Sequence, residues 1–136
     1  MNILIPFETE AHRPVKATGT STSDLLHEAD ATDASGGTDI YEGLLSAFDE
    51  LPSESEASQY TTAIVLMTDG RSNSDHQDEF ESAYKSRGRD LPIFSIMFGD
   101  ADPSQLKSLA TLSNAKVFDG RSGDLAAGFR QVKGFN

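Results

Sequence analysis

From Asp39 onward, short runs that are apolar throughout alternate with longer stretches in which apolar residues recur every three or four positions. The runs Thr61 to Thr68, Ile93 to Phe98 and Lys116 to Phe118 predict strands, the first apolar on both faces as in a central parallel strand. The stretches between them predict helices. Ile40, Leu44, Ala47, Phe48 and Leu51 mark one face of a helix from about Asp39 to Leu51; Phe80, Ala83 and Tyr84 mark a second, ended by Gly88. Leu106, Leu109 and Ala110 mark a third, and Leu125, Phe129 and Val132 a terminal one.

Local chemistry sharpens the helix starts. Asp39 with Glu42 is an acidic variant of the capping box, and Ser74 with Gln77 is another. Asp102-Pro103-Ser104-Gln105 sets a cap, a proline at the first helical position and a glutamine three residues after the cap. Before Asp39 the pattern is weaker. Ile3 to Phe7 predicts a short strand, Pro14 to Ala17 its antiparallel partner, and Leu25, Leu26 and Ala29 a short helix running toward Gly36-Gly37. Pro52 to Gln59 reads as a polar loop, Asp119-Gly120 as a turn, and no internal repeat is visible.

Strands alternating with helices predict an α/β fold, a doubly wound and mostly parallel sheet with helices on both faces and ligands beyond the carboxyl ends of the strands. The 136 residues and 37% hydrophobic content suit one domain. Without cysteine there is no disulfide framework, thiolate zinc site or cysteine nucleophile. Twenty-two acidic against eleven basic residues give a formal charge of −11, which repels nucleic acid and anionic lipid and attracts divalent cations and basic surfaces. No apolar run approaches the ~20 residues that span a bilayer, so direct membrane insertion is not expected. The compartment is not legible.

Two residues stand where such a fold places oxygen ligands. Gly36-Gly37-Thr38-Asp39-Ile40-Tyr41-Glu42-Gly43-Leu44 reads as a glycine turn opening a helix, and Ile64-Val65-Leu66-Met67-Thr68-Asp69-Gly70 as a buried strand ending in a carboxylate. A hydroxyl and a carboxylate are hard donors of the kind magnesium takes, about six at a time with waters completing the set. The plain alternatives are a helix-capping role for Thr38 and an Asp-Gly turn for Asp69.

These two segments, with Ile5-Pro6-Phe7-Glu8-Thr9-Glu10-Ala11, resemble the von Willebrand factor type A domain from Ile3 to about Val132. The resemblance implies a doubly wound fold carrying a metal-ion-dependent adhesion site for Mg2+ or Mn2+. Thr38 and Asp69 would join three residues of an Asp-x-Ser-x-Ser motif, and the metal would capture an acidic residue of a partner protein. It implies no catalysis. Asp39 would hydrogen-bond around the site, and Gly70, Arg71, Ser72 and Asn73 would lie beside it or on its recognition rim.

No Asp-x-Ser-x-Ser occurs in this sequence. The chain is therefore expected to be a single partial domain, residues 1–136, truncated at its N-terminus, without the family's first strand and with weak or absent metal binding of its own. A vacancy beside Thr61 to Thr68 leaves strand edges open, which points to a homo-oligomer or strand exchange. Two other functions fit the residues. Asp69 at a strand end would suit a metal-dependent phosphate-ester hydrolase, although Arg71 stands where a second carboxylate is expected, and a metal-independent scaffold needs no site at all. The glycine segment lacks the ending of a phosphate-binding loop. His12, His27 and His76 read as surface residues, and Asp100 with Asp102 as a helix start rather than a calcium loop.

Overall fold

A computed structural model describes residues 1–18, 23, 27, 37–87, 91–122, 127 and 130. The chain divides into two compact units, residues 1–51 with 73–85, and residues 52–72 with 86–136.

In the first unit, β1 (Asn2–Leu4) pairs antiparallel with β2 (Val15–Ala17), Ile3 opposite Lys16. The expected strand to Phe7 is shorter. Pro6 has no N–H for a ladder, and its carbonyl instead accepts from His12 N–H at 2.8 Å while Phe7 forms one bridge to Ala11. Helix α1 (Ile40–Asp49) starts where its apolar stripe begins. It buries Ile40, Tyr41, Leu44 and Phe48, and Gly43 lets Phe7 lie against it, since a Cβ there would stand 2.9 Å from the Phe7 ring.

The other wall is α3 (Gln77–Arg87), of which residues 77–85 belong to this unit. Its Phe80 is fully buried, with ring centroids 5.3 Å from Phe48 and 5.9 Å from Tyr41. The rings are tilted, the arrangement aromatic quadrupoles favour over face-to-face stacking. Lys16 of β2 forms an ion pair with Glu50 after α1.

The second unit begins with α2 (Glu54–Ala57), one turn inside the stretch expected to be loop. Its start is a capping box: Glu56 accepts from Ser53 N–H and from Ser53 Oγ. A single turn carries no apolar stripe, so periodicity gave no signal of it.

Strands β3 (Ile64–Thr68), β4 (Ile93–Met97) and β5 (Val117–Asp119) form a parallel sheet in that order. Ile64 lies opposite Ile93, and Ser95 opposite Val117. All five residues of β4 are buried, with Phe94 and Ile96 packed against Phe118. The start of β3 is corrected: it begins at Ile64 rather than Thr61. Among the described residues it pairs with β4 alone, and Val65 and Met67 are exposed.

Helix α4 (Pro103–Ser113) buries Leu106, Leu109 and Ala110. Its last residue pins it to the sheet, because Ser113 Oγ donates to Leu109 O at 2.8 Å and accepts from Ile93 N–H at 3.2 Å. Asn114 ends the helix in the left-handed region, at φ 52°. After β5 the chain makes a 3-10 turn, Gly120–Ser122. The expected helix around Leu25 and the terminal helix around Leu125 lie outside the described residues, apart from Ser23, His27, Ala127 and Arg130, which are helical. Gly88 lies outside them as well.

Core substitutions separate two kinds of buried group. Phe80→Ala removes the ring at the centre of the aromatic cluster and is expected to cost about 3–5 kcal/mol. Ser95 Oγ is buried without a hydrogen-bond partner among the described residues. Its removal in Ser95→Ala takes away an unsatisfied hydroxyl and is expected to stabilise by on the order of 1 kcal/mol. Urea unfolding of both variants checks the two signs.

Candidate functional site

Asp69 follows β3 directly and so lies at the carboxyl edge of the parallel sheet, with its side chain exposed. Its backbone is held firmly. The Asp69 carbonyl accepts from Asp100 N–H at 2.9 Å, and the Thr68 carbonyl accepts from Phe98 N–H at 3.0 Å. This close return of the chain needs Gly99, which has φ +43° and whose Cβ, were there one, would stand 2.8 Å from the Asp69 carbonyl oxygen. No described hydrogen bond engages the Asp69 carboxylate. Thr68 Oγ1 donates to Gly70 O at 3.3 Å, which shapes the turn after it.

The rest of that edge is occupied otherwise. Asp119, at the end of β5, is held by Arg121 through Nε at 2.9 Å and Nη2 at 2.8 Å, and this pairing lowers its pKa to about 2. Asp102 caps α4, accepting from Ser104 N–H at 2.9 Å and Ser104 Oγ at 2.6 Å, which lowers its pKa. Gln105 reaches Ser72 instead of the cap: its amide donates to Ser72 O at 2.8 Å and its oxygen accepts from Ser72 N–H at 3.1 Å. Ser72, expected on a recognition rim, is thereby fixed by its backbone, while Arg71 is exposed.

Thr38 belongs to the first unit, half-buried just before α1. Its carbonyl accepts from Asn73 N–H at 2.9 Å, and no described hydrogen bond engages its hydroxyl. Asn73 is exposed, and its Oδ1 accepts from Asp75 N–H at 3.2 Å. The expected cap at Ser74 is displaced, since α3 begins at Gln77 and Ser74 contributes its carbonyl to Gln77 N–H at 3.1 Å.

Asp39 is the N-cap of α1 and is 1% exposed. Its Oδ1 accepts from Tyr41 N–H at 3.1 Å and Glu42 N–H at 3.2 Å, meeting two of the open donors of the first turn. The reciprocal half of the expected capping box is absent. Asp39 N–H donates to Glu8 O at 2.6 Å, so Glu42 has no cap N–H to accept from.

The second carboxyl oxygen of Asp39 lies 2.6 Å from His76 Nδ1, with Glu42 at 3.9 Å. His76 was expected to be a free surface residue. Its ring is part-exposed, yet it closes the polar cluster around a buried acid, and the signal missed was a histidine just ahead of a helix facing another helix's cap. The hydrogen bond to Asp39 raises the His76 pKa, with the charges of Asp39, Glu42 and Glu79 acting in the same direction.

The donors available for a cation are hard oxygens, of the type that suits Mg2+ or Mn2+ in kind. Among the described residues no group of three or more His, Cys, Asp or Glu side chains is arranged to hold a metal ion. No helix among the described residues is long and apolar enough to cross a membrane.

The His76 shift has a signed consequence. A folded-state pKa above the unfolded value means that the stabilisation is complete below about pH 6.5 and is lost as pH rises through the folded pKa. The stability difference between the native chain and His76→Gln is expected to be larger at pH 5.5 than at pH 8.5. Urea unfolding at both pH values checks this, with the His76 ring signal in NMR titrating above the unfolded-chain value.

No curated protein and no solved structure matches the chain. A family model described as the von Willebrand factor type A domain matches residues 4–131. That match covers nearly the whole sequence and agrees with the presence of a parallel sheet and helices, and the chain belongs to the von Willebrand factor type A domain family.

Proposed function

We propose that this chain is a non-enzymatic protein-interaction module, one partial domain whose Mg2+- or Mn2+-dependent ligand site is incomplete within residues 1–136. Family membership supports the general part, an adhesion-type interaction domain. The observation that carries the specific part is Asp69: an exposed carboxylate, outside any described hydrogen bond, on a rigid turn at the carboxyl edge of a parallel sheet.

In this reading Asp69 contributes a charged oxygen and Thr38 a hydroxyl to the cation. When bound, the cation supplies a Lewis-acidic position that accepts a carboxylate from the partner protein. Asp39 orients the start of α1 directly after Thr38, while Gly70, Arg71, Ser72 and Asn73 form the surface that a partner meets. Two side chains give a divalent ion little beyond its hydration shell, so tight binding needs further donors. The Asp-x-Ser-x-Ser segment that the family resemblance implies is the source proposed for them.

Calorimetric titration with MgCl2 and MnCl2 tests this. The chain itself is expected to bind neither tightly, and the chain extended by an upstream Asp-x-Ser-x-Ser strand is expected to bind one equivalent. In the extended protein Thr38→Ala should weaken binding on the order of tenfold and Asp69→Ala more, because a charged ligand is lost rather than a neutral one. Asp78→Ala, on the exposed side of α3, should change nothing. Tight stoichiometric binding by the short chain, or indifference of the extended one to Asp69→Ala, would overturn the assignment. Turnover of a phosphate ester with magnesium, abolished by Asp69→Asn, would likewise count against a binding role.

A further inference from the structure

Residues 69–72, the loop that follows β3, are tied at every position but one. Asp69 O accepts from Asp100 N–H at 2.9 Å, Gly70 O accepts from Thr68 Oγ1 at 3.3 Å, and Ser72 is held on both its backbone groups by Gln105 of α4. All of these residues lie in the second unit. Arg71 stands between the ties, exposed, with no hydrogen bond or ion pair among the described residues.

Gln105 makes a tie that few side chains can. Ser72 N–H donates to its Oε1 at 3.1 Å and its Nε2 donates to Ser72 O at 2.8 Å, the pair of bonds that a residue of a neighbouring strand would make. An ionised glutamate would offer no donor, a lysine no acceptor, and an asparagine is one methylene shorter. The near end of the loop is fixed independently, through Asp100. Without the far tie, Gly70, the residue type with the least restricted backbone, would let Arg71 swing about a stationary Asp69.

Arg71 is also an uncommitted cation on an acidic edge. Asp69, Asp100, Asp102 and Asp119 follow the strand ends, and the other arginine there, Arg121, is bonded to Asp119 through Nε at 2.9 Å and Nη2 at 2.8 Å. Asp102, whose pKa is lowered first by its bonds from Ser104, also feels the Arg71 charge, but the two form no described ion pair. An unbonded guanidinium held beside an exposed carboxylate, in a chain of formal charge −11, suits a ligand that brings a negative charge of its own.

Resting on the reading of Asp69 as a cation ligand, we propose that Gln105 is a positioning residue of that site: through Ser72 it fixes Arg71 beside Asp69, so that the site takes a partner segment carrying two acidic residues, one on the cation and one on Arg71. The second carboxylate meets a guanidinium whose backbone is already placed, and the ordering cost of the contact falls. An exposed ion pair is worth roughly a few-fold in affinity, so the effect is one of preference between partners.

Amide hydrogen exchange by NMR on the native chain tests the tie. Relative to intrinsic rates, the Ser72 amide is expected to exchange on the order of tenfold more slowly than that of Arg71. Gln105→Met is expected to remove this protection while the amides of β4 keep theirs. Gln77→Met, which breaks a bond to Glu81 on α3, is expected to leave Ser72 unchanged.

The extended protein carrying the upstream Asp-x-Ser-x-Ser strand, in MgCl2, tests the preference with two capped tripeptides, Asp-Ala-Asp and Asp-Ala-Ala. The first is expected to bind on the order of threefold tighter. Arg71→Ala is expected to abolish the difference, Gln105→Met to reduce it with Arg71 in place, and the double variant to match Arg71→Ala, because the two residues act as one unit. The Mg2+ affinity is expected to survive Gln105→Met, since Asp100 holds the Asp69 backbone.

Ser72 exchange unmoved by Gln105→Met, equal affinities for the two peptides, or a preference that persists in full in Gln105→Met would each overturn the proposal while the metal reading stands. Peptide binding that survives Asp69→Ala or removal of Mg2+ would overturn the reading of the site, and the proposal with it.

Discussion

The first unit is organised around one buried acid. Asp39 is 1% exposed, and a polar side chain placed there without partners would cost several kcal/mol. Its partners are therefore structural requirements. One carboxyl oxygen satisfies the first turn of α1, the backbone N–H satisfies the Glu8 carbonyl, and the other oxygen takes His76 at the approach to α3. These four bonds bring a loop and two helices to one residue. The ring cluster of Tyr41, Phe48, Phe80 and Tyr84 then fills the space that this placement leaves. The polar bonds set direction and the aromatic burial supplies most of the driving force.

The second unit rests on parallel pairing, which imposes a different logic. Every strand of its sheet ends at the same edge, so the residues after β3, β4 and β5 are gathered there whatever their identity. Chemistry then distinguishes them. Asp119 is neutralised by Arg121, Asp102 is committed to a helix cap, and Asp69 keeps its carboxylate exposed while Gly99 and Asp100 hold its backbone. A rigid backbone under an uncommitted charged side chain is what a binding position needs, because little ordering remains to be done when the ligand arrives.

Much of this was legible along the chain. The apolar runs at Ile64 to Thr68 and Ile93 to Met97, the stripe from Ile40 to Phe48 and the Asp102-Pro103 start are local signals, each carried by residues within one or two turns or a few positions of each other. Boundaries moved where a local rule met a partner. The strand at Ile3 stops at Leu4 because Pro6 cannot donate, and Glu42 gives up its capping role because Glu8 takes the cap N–H first. Gln105 similarly leaves the cap of α4 for the backbone of Ser72. The single turn Glu54–Ala57 carried a capping box but no stripe, and was too short for periodicity to register.

By itself, then, the sequence determined the kind of chain this is: alternating elements, their order, a carboxylate at a strand end, an acid at a helix start, and the residue patterns that resemble the family. These follow from backbone sterics and from the periods of strand and helix, which act between near neighbours. Tertiary structure alone decided that His76 is drawn out of its surface role to Asp39, and that Gly99 is the residue on which the Asp69 backbone closes. Those outcomes depend on groups far apart in the chain competing for the same hydrogen bonds and the same buried space, and no local pattern records who wins such a competition.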